Sequence, residues 1–170
     1  MRRAVRRGLF ETNSSSVHAI SISYAGKLIL PKLVYFDFGE FGWEHEIYHD
    51  KQNKAAYLWT GILENYPVSE VKIIQDKITQ MLSEESIECE FADCRQMCEY
   101  KGEVYYSLDG YIDHACELKE WLDEVLNDKS KLLAFLFDSD SAVETWNDNT
   151  MDDSDFDYQV PDGWTYYKGN

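Results

Sequence analysis

His45-Glu46-Ile47-Tyr48-His49 matches the H-E-x-x-H pattern. On a helix the two imidazoles fall one turn apart on one face, both reach a single zinc ion, and the glutamate between them activates the bound water. The spacing therefore offers one enzyme reading, a zinc-dependent hydrolase with His45 and His49 as ligands and Glu46 as base. Its flanks argue against it. Gly42 stands just before the motif, and Glu44 and Asp50 crowd it where a catalytic helix needs apolar anchors. Glu64, Asp113 and His114 are candidates for a third ligand, but none is fixed by spacing. The competing reading is a surface turn whose side chains lie in water. On that reading there is no catalytic residue, no metal and no cofactor, and this is the one adopted.

Other constellations are weaker. Asn13-Ser14-Ser15-Ser16-Val17-His18, taken with Asp113-His114, contains the residue types of an acyl-transfer triad. The serines precede a strand and lack a Gly-x-Ser-x-Gly elbow, so turn-forming hydroxyls are the plainer reading. Asp113 reads as the cap of a helix that begins near His114. The cysteines are Cys89, Cys94, Cys98 and Cys116, a loose pair with two stragglers, and reduced thiols are expected over a zinc knuckle. Asp152-Asp153-Ser154-Asp155 is dense in oxygen ligands, yet it lacks the glycine and the closing glutamate of a calcium-binding EF-hand loop. There is no P-loop and no dinucleotide fingerprint.

The densest charge lies late in the chain. Nine acidic residues and no lysine or arginine fall between Asp138 and Asp162. Aromatics are interleaved with them, whereas a purely solvating tail has few. This stretch is expected to meet a partner through Asp138, Asp140, Glu144, Trp146, Asp148, Asp152, Asp153, Asp155, Phe156 and Asp157. Carboxylates at the rim would steer association, and aromatic anchors would hold the complex.

The elements that must position these residues follow from periodicity. Residues 17–23 alternate apolar and polar, and with Leu28 to Phe36 they predict a hairpin across a Tyr24 to Lys27 turn. Lys51 to Tyr66 carries Ala55, Leu58, Trp59, Ile62 and Leu63 at helical spacing, and Pro67 stops it. A second helix runs from a Ser69 cap to about Leu82. Ile87 to Phe91 alternates as a strand with Cys89 inward, and Val104 to Leu108 is another strand. Residues 115–126 are helical, the apolar run Lys131 to Phe137 reads as a central strand, and a short helix can follow over Val143 and Trp146. The sum is an α+β fold, a mostly antiparallel sheet packed against two to three helices. It forms a single domain over residues 1–137, followed by an acidic, aromatic-containing C-terminal segment, 138–170, partly packed on it.

Composition sets the outer limits. Of 170 residues, 44% are hydrophobic, 32 are acidic and 16 basic, for a net charge of −16. An ordinary nucleic-acid binder carries a basic footprint, so direct nucleic-acid binding is not expected. No apolar run reaches membrane-spanning length, and none of signal-peptide length follows the opening arginines, so neither a membrane nor secretion is expected.

The basic start running into Gly8-Leu9-Phe10-Glu11-Thr12-Asn13-Ser14-Ser15-Ser16-Val17-His18, with Gly39-Glu40-Phe41-Gly42-Trp43 and Gly110-Tyr111-Ile112-Asp113-His114, resembles a group of small acidic proteins carried by phages and mobile elements of bacteria. The resemblance covers about the first two-thirds of the chain in scattered motifs and assigns no residue a role. It implies a phage-side protein of the host cytoplasm. By analogy it implies an inhibitor of host defence nucleases, such as an anti-CRISPR protein. The expectation is a phage or mobile-element protein that binds and inhibits a basic nucleic-acid-handling host protein, such as a CRISPR nuclease, through an acidic surface. The alternatives are the zinc hydrolase and a non-catalytic accessory phage protein.

Overall fold

The computed structural model describes residues 16–42, 44–94, 97–108, 110–113, 118–147 and 160–169. In chain order the elements are β1 (Ser16–Ile22), β2 (Leu33–Phe36), β3 (Glu40–Phe41), β4 (Glu46–Tyr48), α1 (Lys51–Asn65), α2 (Val68–Ser83), β5 (Glu88–Phe91), β6 (Met97–Tyr100), β7 (Glu103–Tyr106), β8 (Tyr111–Ile112), α3 (Lys119–Asn127), α4 (Lys129–Phe137), β9 (Ala142–Asn147) and β10 (Thr165–Gly169). The class is α+β with mostly antiparallel pairing. An antiparallel sheet in the order β10-β1-β9-β4 is joined by the antiparallel β6-β7 hairpin and by two short parallel pairs, β2-β5 and β3-β8.

Helix α1 is the centre of the molecule. Every residue from Lys54 to Leu63 is buried, so the helix is enclosed on all sides rather than amphipathic on one. It starts where Asp50 accepts bonds from the backbone N–H of Gln52 (3.1 Å) and Asn53 (2.9 Å), satisfying two donors that the first turn leaves open. It ends before Pro67, whose missing N–H and fixed φ break the ladder. That same proline, not Ser69, stands at the N-cap of α2. Trp121 from α3 and Phe135 from α4 close over Tyr57 of α1, with ring centroids 5.7 Å (Tyr57–Trp121) and 5.1 Å (Trp121–Phe135) apart.

Three expectations need correction. Lys129–Phe137 is a helix, not the central strand expected over Lys131 to Phe137. Asp128 caps it by accepting from Ser130 and Lys131 backbone N–H at 2.8 and 3.1 Å. Burial of Leu132 and of Ala134 through Phe137 explains why no stripe was visible. The short helix over Val143 and Trp146 is strand β9. The predicted β-hairpin also does not form. Strand β1 pairs with β9 and β10, and β2 pairs in parallel with β5. Residues of the acidic C-terminal stretch thus supply two of the four strands of the main sheet, with β9 between β1 and β4. Among the described residues no helix is long and apolar enough to cross a membrane.

Cys89 faces the core beside Phe91, as the alternation of β5 predicts. Burial pushes its thiol up to about 11, so it holds its proton at neutral pH. Cys94 donates to the Ser107 carbonyl at 3.2 Å, Cys98 is half-buried, and Cys116 lies outside the described residues.

Candidate functional site: a sheet-face groove and a buried polar cluster

The main sheet has two faces. By register, Ser16, His18, Ile20 and Ile22 of β1 share the inner face with Val143 and Thr145 of β9. Val17, Ala19 and Ser21 share the outer face with Ala142, Glu144 and Trp146.

A groove of about 340 Å³ lies over this outer face. Its floor is built from the small side chains Ala19, Ser21 and Ala142. Trp164 and Tyr166 wall one side, Ile47 and His49 another, and Asp140 and Glu144 supply carboxylates. Among the described residues no lysine or arginine lines it. His45 Nε2 stands 3.0 Å from Glu144 Oε1, and the Ser139 hydroxyl donates to Asp140 Oδ1 at 3.1 Å. Chemically, aromatic faces beside carboxylates suit a cation.

The His-Glu-x-x-His segment runs through β4, not a helix. Four residues of extended chain separate its imidazoles by roughly 13 Å, so His45 and His49 cannot share one ion as helix neighbours do. Glu46 alternates to the opposite side of the strand from both. Among the described residues, no three His, Cys, Asp or Glu side chains are grouped to hold a metal.

The ten residues expected at a partner interface separate. Asp140 is exposed and Glu144 is half-buried, both at the groove. Asp138 and Trp146 are only 1% and 2% exposed. Trp146 packs with Val17 and Ala19, and Asp138 accepts from the Asp140 backbone N–H at 2.9 Å, so neither presents its side chain at this surface. Asp148, Asp152, Asp153, Asp155, Phe156 and Asp157 lie outside the described residues.

On the inner face a buried polar cluster gathers the other residues singled out from sequence. The Ser16 hydroxyl donates to the Asp113 carboxylate, and His18 Nδ1 stands 3.1 Å from the Tyr57 hydroxyl. Gly42 separates the two pairs. Its φ is +124°, and a Cβ there would lie 2.9 Å from Asp113 Cβ and 3.2 Å from the His18 ring, so glycine is required. In an acyl-transfer triad the imidazole stands between serine and carboxylate. Here serine and aspartate bond directly, and Ser16 is 3% exposed. The cluster therefore ties β1 to the segment after β8 instead of presenting a nucleophile. Asp113 is used in this tie, the helix start expected near His114 lies outside the described residues, and Leu118 occupies the N-cap of α3. Asn13, Ser14, Ser15 and His114 lie outside the described residues. The Tyr57 hydroxyl is held protonated well above the usual phenol range, first by burial and then by the nearby Glu64 carboxylate.

Lys54 carried no sequence signal beyond its place on a helix, yet it is 1% exposed. Its ammonium donates to the carbonyls of Asp138 (2.9 Å) and Ser141 (3.0 Å), which fixes the chain as it leaves α4 for β9. Burial pulls its pKa down to about 8 against the opposing pull of Asp138 and Asp50. From pH 8 to the ordinary value of 10.5, the unfolded chain holds a proton that the folded chain has released. Stability from this group therefore rises with pH across that window. The unfolding free energy of the wild type minus that of Lys54→Met should climb by about 3 kcal/mol between these limits. Denaturant titrations of both proteins across the window test this, and a pH-independent difference would show that the ammonium is solvated.

Comparisons with protein families, with curated proteins and with solved structures return no match for this chain. The site therefore has to be interpreted from its own chemistry.

Proposed function

We propose that the protein binds and inhibits a basic nucleic-acid-handling protein of the host. A CRISPR effector nuclease is the partner that the sequence resemblance suggests, and the host cytoplasm is the place of action. The observation that carries this reading is negative charge in excess of what the chain's own bases can compensate. The chain bears −16, and several of its lysines are already engaged. Lys72 pairs with Asp76 at 2.6 Å, Lys129 with Glu84 and Glu85 at 2.9 and 2.6 Å, and Lys131 with Glu124. Lys54 is internal. A nuclease that holds duplex DNA or a guide heteroduplex has a basic channel. An acidic, folded surface enters such a channel by electrostatic steering and competes with phosphate for its cations.

Binding of the purified protein to an effector nuclease, measured across a salt series with and without competing duplex DNA, tests the proposal. The affinity should fall steeply with salt, and duplex DNA and the protein should displace each other. Binding that is indifferent to both salt and DNA would remove the reading.

A further inference from the structure

We propose that the groove over the outer face of the main sheet seats an arginine side chain of the basic partner. The inference rests on the proposed function and names one contact within it. Its floor of Ala19, Ser21 and Ala142 leaves room for an aliphatic stem. Trp164 lines the groove with an indole on which a guanidinium stacks by cation–π attraction, and Tyr166, packed against Val17, Ala19 and Trp146, closes the same side. Asp140 and Glu144 lie at the same opening. Ser139 and His45 each hold one oxygen of these carboxylates, at 3.1 and 3.0 Å. The second oxygen of each has no partner among the described residues.

Two carboxylates with fixed orientation match the planar, five-donor guanidinium better than the compact ammonium of lysine. The charge complementarity is local as well as global, because among the described residues the groove lining holds no base other than His49. Lys168 shares the outer face by register, opposite Ala19, but does not line the groove.

The test uses the full chain and the peptide acetyl-Gly-Gly-Arg-Gly-Gly-amide. A second peptide carries citrulline, which keeps the shape and removes the charge. Indole N–H resonances report on binding, with Trp164 assigned by Trp164→Phe. The arginine peptide should shift the Trp164 resonance saturably and the citrulline peptide should not. Glu144→Gln and Asp140→Asn should each weaken the arginine peptide at least about fivefold, the scale of losing a charge-assisted contact. Asp76→Asn, at an exposed carboxylate elsewhere, should leave it unchanged.

Equal binding of both peptides, or equal binding by wild type and groove variants, overturns the proposal. So does a Trp164 response that emerges only when Arg2, Arg3, Arg6 and Arg7 are all changed to glutamine, because the chain's own basic tract would then be the occupant. If the groove variants bind as wild type while salt-dependent nuclease binding persists, only the groove assignment falls. If nuclease binding is absent but the Trp164 response remains, the groove stands and the functional reading falls.

Discussion

Replacing Trp121 by alanine should lower the unfolding free energy by about 3–5 kcal/mol. The side chain is 1% exposed and joins three helices, since its ring meets Tyr57 of α1 and Phe135 of α4 from its own position on α3. Truncation loses the transfer free energy of an indole and leaves a cavity between elements that cannot collapse independently. The conservative change separates size from chemistry. The indole N–H of Trp121 has no hydrogen-bond partner among the described residues, and leaving such a donor buried costs about 1–3 kcal/mol. Trp121→Phe removes that donor while keeping most of the ring, so it should cost much less than the alanine change. Equilibrium denaturation of both variants checks the pair. A loss under about 1 kcal/mol for Trp121→Ala would mean that α3 is not part of the core.

Changing Asp152, Asp153, Asp155 and Asp157 together to asparagine should slow association with a basic nuclease by roughly tenfold at low salt. This run is the most concentrated negative stretch of the sequence, with Phe156 inside it. Rim carboxylates act mainly on the encounter, so the salt dependence of the association rate should flatten while dissociation changes little. Truncating Phe156 should do the reverse and shorten residence, as loss of an apolar anchor does. Thermal stability should hold in the quadruple variant, because the changes lower like-charge repulsion within one short acidic run. Stopped-flow association across a salt series reads both effects. Unchanged rate and slope would reduce this stretch to a solvating role.

The parts of the fold legible in sequence were those determined locally. Helix α1 showed itself through Ala55, Leu58, Trp59, Ile62 and Leu63 and through the stop at Pro67, and β5 showed itself through strict alternation. Helix α4 was illegible because Leu132 and the run from Ala134 to Phe137 are all buried. A short segment buried on every side has no period to distinguish helix from strand. Strand β9 was misread because its partners, Ser16 to Ser21 and Glu46 to Tyr48, lie roughly a hundred residues away, and tertiary pairing overrides local preference. The groove was partly legible. Asp140, Glu144 and the late aromatics stood out by charge and type. Their meeting with Ala19, Ser21 and His49 depends on strand order, which no local pattern carries. The Ser16–Asp113 bond is hidden in the sequence for the same reason, although each residue stands out there by its type.

The position of β1 sets a timetable for synthesis. It is the first described strand to leave the ribosome, and its two neighbours are the last. Ser16 is matched with Asn147, and Ile22 with Thr165. At ~5–20 residues per second, roughly 7–30 s pass between the emergence of Ile22 and that of Thr165. Until Ala142 emerges, Ile20 and Ile22, fully enclosed in the finished protein, have neither strand beside them, and from there to Thr165 β1 has only β9 to pair with. Closing so long a loop delays the sheet further, because its entropy is lost before any pairing compensates for it. Helices α1 and α2 can form on the nascent chain, but the main sheet, and with it the groove on its outer face, is completed only once Thr165 to Gly169 have emerged. A message cut short between Asn147 and Thr165 would therefore yield a chain with β1 open along one edge, and one cut before Ala142 a chain with both edges open, prone to pair with another copy.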